Sequence, residues 1–263
     1  MPISISFNTG NKAMICSMTS LNGKTALVTG SSKGIGKAIA IAFGAAGANV
    51  ITTGRTSQEI EKLTNFIVNS GGTAIGVVAD LGIESEINRL TETAEQEFNG
   101  VDILVNNAAI IHPRITVKDF DPELWRDVLN VNLTGSFLIT QKLIHGMLER
   151  GYGKIINISS IGGRKGAYGR SAYRVTKSGL ISFTESLAAE VYEHGINVNA
   201  ICPGGTDTEG YRSAFNTKGR SENPTLMDPE EIAQVALFLA SEASSAITGT
   251  AIDSFGGSNP IFS

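Results

Sequence analysis

Short apolar runs alternate with longer segments of helical spacing along most of the chain. The runs carry Val, Ile, Leu and Ala on successive positions, which is typical of strands that are buried on both faces. Helices between consecutive strands cover both faces of such a sheet. The pattern therefore predicts an α/β fold with a doubly wound parallel sheet of about seven strands. The predicted strands are Ala26–Thr29, Asn49–Gly54, Thr73–Ala79, Asp102–Asn106, Lys154–Ser159, Asn197–Ile201 and Thr250–Phe255.

The segments between these strands repeat their apolar residues with the period of amphipathic helices. One segment, Gly204–Met227, has no clear period and is rich in Gly, Thr, Ser and Asn, so its length predicts a lid over an active site. No repeat or linker divides the chain, and we expect an N-terminal extension over residues 1–20 and one domain over residues 21–263. The predicted helices begin at Ile35 and otherwise span Ser57–Ser70, Glu84–Phe98, Pro122–Glu149, Ser171–Glu193 and Pro229–Ser241.

Composition narrows the class of protein. The 263 residues are 41% hydrophobic and 17% charged, as in a globular domain. The net charge of −4 argues against general binding to nucleic acids or anionic membranes. Cys16 and Cys202 provide no disulfide framework, and no apolar run reaches the length of a membrane span, so we expect a soluble, cytoplasmic protein. The histidines lack the spacing of metal ligands, and we predict no metal site.

The segment Thr25–Ala46 combines an apolar strand, a glycine-rich turn and a helix. Glycines at positions 30, 34 and 36 let the backbone approach a pyrophosphate, which the N-terminus of the helix would bind. At the end of the second strand, where an acidic residue would favour NAD, the chain has Gly54 and Arg55, and Lys33 lies in the turn. These two cations suit the 2′-phosphate of NADP, so we expect NADP(H) rather than NAD(H).

A tyrosine and a lysine four positions apart, Tyr173 and Lys177, share one face of a predicted helix. The pKa of a phenol is near 10, too high for efficient proton transfer at neutral pH. A neighbouring ammonium, together with a positive nicotinamide, would stabilise the phenolate and lower this pKa. Tyr173 is therefore a candidate general acid and base. Ser160 follows the fifth strand, and Asn132 lies in the long helix before that strand.

In this order, these residues resemble the short-chain dehydrogenase/reductase family over about Leu21–Gly257. The glycine spacing after Thr29, the segment Asn106-Asn107-Ala108-Ala109 and the pair Pro203-Gly204 are similar to motifs of that family. The resemblance implies a Rossmann-like fold, hydride transfer between a nicotinamide and a carbonyl or secondary alcohol, and a homotetramer built through the long helices.

The resemblance also implies roles for single residues. Ser160 would orient the substrate carbonyl, and Tyr173 would exchange a proton with its oxygen. Lys177 would lower the pKa of this tyrosine and hold the nicotinamide ribose, and Asn132 would help to hold a water beside Lys177. Asp80 would accept from the adenine amino group. The expected cofactor-binding residues are Gly30, Ser32, Lys33, Gly34, Ile35, Gly36, Arg55, Asp80, Leu81, Asn107, Ala108, Tyr173, Lys177, Pro203, Gly204 and Thr208.

Basic residues surround the predicted catalytic residues, because no acidic residue lies between positions 149 and 185. Arg164, Lys165 or Arg170, together with Arg114, would attract an anionic substrate such as a keto acid, a sugar acid or a carrier-bound thioester. A solvated or subunit-contact face is the alternative interpretation.

Within the family, the chain most resembles 3-oxoacyl-carrier-protein reductases and sugar or polyol dehydrogenases. Ala189, however, stands where the carrier-protein reductases often have an arginine. Two other functions remain open. A catalytically silent, nucleotide-sensing protein could keep this fold. The segment Gly30-Ser31-Ser32-Lys33-Gly34 also spells the nucleophile motif of a serine hydrolase, which would need a histidine late in the chain, and none follows His194.

Overall fold

Seven parallel strands form a sheet at the centre of the computed structural model, which describes residues 19–259. They are β1 (Thr25–Val28), β2 (Asn49–Gly54), β3 (Thr73–Val78), β4 (Ile103–Asn106), β5 (Gly153–Ile158), β6 (Ile196–Pro203) and β7 (Ala251–Ser254). The order β3-β2-β1-β4-β5-β6-β7 confirms the predicted doubly wound sheet. Because β1 pairs with both β2 and β4, the order reverses beside β1 and opens a crevice at the carboxyl ends of these strands.

The helices cover both faces of the sheet. They are α1 (Gly34–Ala45), α2 (Ser57–Asn69), α3 (Glu84–Phe98), α4 (Pro122–Leu129), α5 (Gly135–Arg150), α6 (Ser171–Val191), α7 (Glu209–Phe215) and α8 (Pro229–Ala240). Ala26 and Val28 of β1 belong to the core beneath α1, α2 and α8, whereas Leu27 belongs to the core beneath α3, α5 and α6. This burial on two sides explains why the strands read as continuous apolar runs.

Two segments differ from the prediction. A π-helical turn, Asn130–Thr134, interrupts the long helix predicted over Pro122–Glu149 and separates α4 from α5. The segment 204–227, which has no clear period, contains the short helix α7, and a bridge between Thr206 and Met227 closes the segment near its ends.

The N-terminal extension expected over residues 1–20 falls mostly on residues 1–18, outside the described residues, and stays a prediction. Between residues 19 and 259, no helix combines the length and the apolar character that a membrane crossing requires.

Candidate active site

An elongated cavity of about 390 Å³ lies at the carboxyl edge of the sheet, beside the reversal of strand order. Arg55 and Asp80, after β2 and β3, line one end, and Ser160, after β5, lines the other. Two of the predicted site residues, Gly36 and Asn132, do not line it. The remaining predicted site residues also line the cavity: Gly30, Ser32, Lys33, Gly34, Ile35, Leu81, Asn107, Ala108, Tyr173, Lys177, Pro203, Gly204 and Thr208.

The glycine turn between β1 and α1 passes close to the end of β4. Gly30 has a φ of +60°, and a Cβ atom on it would lie 2.7 Å from the Cα atom of Ala108. A Cβ atom on Gly36 would lie 2.3 Å from Nδ2 of Asn107. This Nδ2 donates to the carbonyl oxygens of Thr29 (2.8 Å) and Gly30 (3.1 Å) and so fixes the turn. Gly36 therefore allows α1 to approach β4 and does not reach the cavity.

The beginning of α1 fits an anion. Its first turn carries no acidic side chain, and the N-cap residue, Lys33, makes no side-chain hydrogen bond to the helix. The leading N–H groups of a helix carry a partial positive charge. Lys33 and Arg55 line the same end of the cavity, where Nη1 of Arg55 lies 3.7 Å from Oδ2 of Asp80. These donors fit a dinucleotide that carries several phosphate groups.

Three predicted catalytic residues meet at the other end. Oγ of Ser160 accepts a hydrogen bond from the backbone N–H of Gly162 at 2.9 Å. A Cβ atom on Gly162 would lie 3.2 Å from this Oγ and 3.5 Å from Cε1 of Tyr173. One turn along α6, Nζ of Lys177 lies 5.6 Å from the centroid of the Tyr173 ring and donates to the carbonyl oxygen of Ile158 at 2.6 Å. The structure thus brings Ser160, Tyr173 and Lys177 together.

Burial shifts the pKa values of Tyr173 and Lys177 in opposite directions. It raises the pKa of Tyr173, although a hydrogen bond with Ser160 and the positive charges of Arg170 and Arg174 lower it. Burial lowers the pKa of Lys177 to about 8. Lys177 is not among the protein groups that shift the pKa of Tyr173, and the expectation that Lys177 lowers it together with a positive nicotinamide stays a prediction. The cost of burying a phenolate outweighs the neighbouring charges.

Asn132 lies in the π-helical turn and is fully buried. Its Oδ1 accepts from the backbone N–H of Ile110 at 2.7 Å, and its Nδ2 donates to the carbonyl oxygen of Ile110 at 3.1 Å. The same Nδ2 lies 3.3 Å from Oγ1 of Thr176, the neighbour of Lys177 on α6. The side chain therefore joins the loop after β4 to α6. Its expected part in holding a water beside Lys177 stays a prediction.

The basic residues expected to attract an anion divide into two groups. Arg114 and Arg170 line the cavity. Nε of Arg164 lies instead 2.9 Å from Oδ1 of Asp253 on β7, and Lys165 lines a separate shallow depression. Neither Arg164 nor Lys165 lines the cavity, and of the three alternatives only Arg170 does.

Arg170 connects the segment that was predicted to be a lid with two other elements. It is buried, and its guanidinium donates through Nη1 to the carbonyl oxygen of His112 and through Nη2 to that of Ala214 at 2.9 Å. Its Cζ atom lies 4.3 Å from the ring centroid of Phe215 on α7. Arg170 thus joins three elements: the loop after β4, the start of α6 and the lid helix.

His112 contacts the backbone of Tyr173, the predicted catalytic tyrosine, from the loop after β4. Its Nε2 accepts the backbone N–H of Tyr173 at 3.3 Å, and its Nδ1 lies 2.6 Å from the carbonyl oxygen of Pro113. Burial lowers the pKa of His112 and favours the neutral ring, which can accept this hydrogen bond. The described part of the chain contains no group of three or more His, Cys, Asp or Glu side chains that could hold a metal ion.

Sequence reasoning assigned no role in the site to four residues: Arg174, Tyr211, Phe215 and His112. Arg174 had a signal in the sequence, because it directly follows Tyr173. Tyr211 and Phe215 stack on each other with ring centroids 4.4 Å apart, and both line the cavity. No signal in the sequence placed them there, because they belong to a short helix without a clear period.

Known proteins resemble this chain over nearly its whole length. Residues 24–219 match the family model "short chain dehydrogenase". The 3-oxoacyl-[acyl-carrier-protein] reductase of Aquifex aeolicus is 41% identical over 243 residues, which are 90% of this chain and 98% of that protein. The D-beta-hydroxybutyrate dehydrogenase of Cupriavidus necator is 36% identical over 256 residues, again 90% of this chain and 98% of the relative.

Solved structures also resemble it. A gluconate 5-dehydrogenase from Burkholderia cenocepacia, in complex with NADP and tartrate, has a TM-score of 0.85 and 29% identity. The similarity covers 93% of this chain and 98% of that one. These matches confirm the resemblance inferred from the sequence motifs. The chain belongs to the short-chain dehydrogenase family and is an oxidoreductase that acts on carbonyl and alcohol groups.

Proposed function

We propose that this protein uses NADP(H) to interconvert a ketone and a secondary alcohol in a small molecule, either a 3-oxoacyl thioester or a keto sugar or keto acid. One observation carries the proposal: a single cavity joins the glycine turn, with Lys33 and Arg55, to Ser160 and Tyr173. Phosphate-binding groups and proton-transferring groups thus share one cavity, as reduction by a dinucleotide requires.

The relatives support this range of substrates and the cofactor. Their names describe reductases of 3-oxoacyl groups and dehydrogenases of hydroxybutyrate and gluconate. The gluconate 5-dehydrogenase was solved with NADP. In this chain, the start of α1 would hold the pyrophosphate, and Lys33 and Arg55 would pair with the 2′-phosphate. Pro203, Gly204 and Thr208 would meet the nicotinamide carboxamide.

The proposed mechanism assigns each polar group near the substrate one task. Ser160 donates a hydrogen bond to the carbonyl oxygen and stabilises the negative charge that develops there. Tyr173 gives its proton to that oxygen during reduction and takes it back during oxidation. The raised pKa of Tyr173 keeps the phenol protonated at neutral pH, the form that reduction needs. Lys177 holds the nicotinamide ribose. When bound, the nicotinamide supplies the hydride in reduction and accepts it in oxidation.

The assembly is also part of the proposal. Phe137 on α5 and Val175 on α6 are 44% and 48% exposed. Phe137 contacts Phe183 of α6, with ring centroids 6.1 Å apart. These apolar surfaces on the two long helices support a homotetramer. The cytoplasmic location expected from the small number of cysteines stays a prediction.

The two alternative functions, a serine hydrolase and a nucleotide sensor, would require different residues in the cavity. A serine hydrolase would need a histidine beside Ser32, and no histidine lines the cavity among the residues that the structure describes. A nucleotide sensor would bind NADPH without turnover. Such a sensor does not require Ser160, Tyr173 and Lys177 to lie together.

The Tyr173→Phe variant tests the proposed function. We expect it to lose kcat for ketone reduction by about 10²- to 10⁴-fold, because the ring stays in place and only the transferable proton is removed. NADPH binding, measured by fluorescence titration, should change little. Tyr192→Phe, at an exposed position remote from the cavity, is the matched control and should keep wild-type turnover. Full turnover by Tyr173→Phe would remove this residue from the mechanism, and NADPH binding without turnover by the wild type would favour the sensor.

A further inference from the structure

Three arginines line the substrate end of the cavity: Arg114, Arg170 and Arg174. None of them forms an ion pair with a carboxylate of the described residues. The only carboxylate among the lining residues is Asp80, at the other end beside Arg55. Like charges in a partly buried site repel each other until an anion offsets them. This end of the cavity therefore has the charge of an anion-binding site.

Arg174 lies beside the groups that would react with a substrate. The position of a Cβ atom on Gly162 is 3.2 Å from Oγ of Ser160, 3.5 Å from Cε1 of Tyr173 and 3.5 Å from Cγ of Arg174. Nη1 of Arg174 is buried and has no hydrogen-bond partner in the protein. A buried donor without a partner costs free energy, and an oxygen atom of a ligand would remove this cost.

The other two arginines, Arg170 and Arg114, make different contacts. Arg170 is held by two backbone carbonyl groups and by the ring of Phe215, so it serves mainly to fix the lid. Arg114 is exposed, with its Cζ atom 6.0 Å from the same ring. Arg174 is therefore the main candidate for direct contact with an anion, and Arg114 adds charge from the loop after β4.

We infer that the substrate is a free hydroxy or keto acid whose carboxylate lies a few bonds from the reacting carbon and is bound by Arg174, with Arg114 in support. The inference rests on the proposed function, because the position of Arg174 has this meaning only if Ser160 and Tyr173 hold the carbonyl. A guanidinium binds a carboxylate through two parallel hydrogen bonds, which also fixes its orientation. A bound carboxylate would thus orient the neighbouring carbonyl toward Tyr173.

A carrier-bound thioester fits this position less well. Its negative charge is the phosphate at the far end of a long arm, remote from the carbonyl that reacts. Such a substrate has no negative charge near its reacting carbonyl that a cation beside the catalytic tyrosine could bind. The structure therefore favours the free acid among the substrates that the proposed function leaves open.

Matched ketones test this inference. NADPH oxidation is measured with acetoacetate, with its neutral methyl ester and with acetoacetyl-coenzyme A, and the acid-over-ester ratio of kcat/KM is compared between proteins. We expect the wild type to prefer acetoacetate. Arg174→Gln should reduce the ratio by about 10- to 100-fold, the effect of losing a charge-assisted hydrogen bond. Arg174→Lys should lose less, because it keeps the charge without the planar fork.

The control is Arg164→Gln, which removes a nearby arginine that pairs with Asp253 outside the cavity and should leave the ratio unchanged.

A binding measurement is independent of turnover: malonate, a dianion without a ketone, should bind the NADP⁺-loaded wild type and not the loaded Arg174→Gln variant. Turnover of the ester equal to that of the acid would overturn the inference and leave the proposed function intact. Preference for the coenzyme A thioester, unchanged in Arg174→Gln, would also overturn it. Turnover of none of the three would overturn the inference, and the proposed function would then depend on turnover of a keto sugar.

Discussion

The side-chain amino group of Lys177 is buried, and this burial should make the stability of the protein depend on pH. Its side chain is 2% exposed, and burial lowers its pKa from 10.5 to about 8. Between these pH values, the unfolded chain holds the proton and the folded chain releases it. The free energy of unfolding therefore rises with pH in this window, by about 1.4 kcal/mol per pH unit.

Lys177→Met should remove this contribution. Between pH 8 and pH 9.5, we expect the wild type to gain about 1.5 kcal/mol in unfolding free energy relative to the variant, measured by urea denaturation. Lys165→Met, at an exposed position, is the control and should follow the wild type. If Lys177→Met and the wild type change in parallel over this range, Lys177 is not the buried cation that the structure describes.

At the scale of elements, Arg170 joins the lid helix α7 to the start of α6, and Arg114 lies farther away, with its Cζ atom 6.0 Å from the ring of Phe215. Arg170 donates to the carbonyl oxygen of Ala214 and packs over Phe215, while its other donor reaches His112. A desolvated contact of a cation with an aromatic ring is worth about 2 kcal/mol, and hydrogen bonds from a charged donor add to it. We therefore expect Arg170 to stabilise the observed position of α7.

Arg170→Gln should open the lid. Trypsin cleaves after Arg212, Lys218 and Arg220, which all lie in the segment 204–227, and we expect the variant to be cut there roughly 10- to 100-fold faster than the wild type. KM for the ketone should rise more than kcat falls, because the lid contacts the substrate end of the cavity. Phe215→Leu should show a smaller increase in cleavage, and Arg164→Gln should show none. Cleavage of Arg170→Gln at the wild-type rate would mean that other contacts hold α7.

Elements differ in how readily the sequence predicts them. The strands were predicted because burial on both faces imposes continuous apolar runs such as Asn49–Gly54, which the structure confirms without a change of boundary. The helix α7 was not predicted, because it has only seven residues and includes a glycine. The π-helical turn Asn130–Thr134 was also missed, since it is only five residues long and continues directly into the α-helices on either side.

At the scale of the whole molecule, the sequence predicted which residues lie at the carboxyl edge of the sheet. It did not predict the contacts between residues from distant segments of the chain. Parallel strands all end at one edge, so the glycine turn, Arg55 and Ser160 were expected to share a site. The contact between Arg170 and Phe215 joins two segments of the chain that no spacing rule relates. The same is true of His112 and the backbone of Tyr173. Such contacts depend on tertiary packing, and the roles assigned to the site residues remain predictions.

The choice of cofactor is decided at the end of the cavity opposite Tyr173. Arg55 is exposed, and its 3.7 Å contact with Asp80 is longer than a hydrogen bond, so its guanidinium can pair with a 2′-phosphate. We expect the wild type to bind NADPH at least about tenfold more tightly than NADH, as measured by fluorescence titration.

Arg55→Gln should weaken NADPH binding by about tenfold and change NADH binding little, because only NADPH carries the phosphate that this arginine would contact. Lys37→Gln removes an exposed cation on α1 that does not line the cavity, and it should bind both cofactors as the wild type does. Equal dissociation constants of the wild type for NADPH and NADH would show that Lys33 and Arg55 are ordinary surface cations. A loss in Arg55→Gln that is the same for both cofactors would instead assign Arg55 to a part that they share, such as the adenosine or the pyrophosphate.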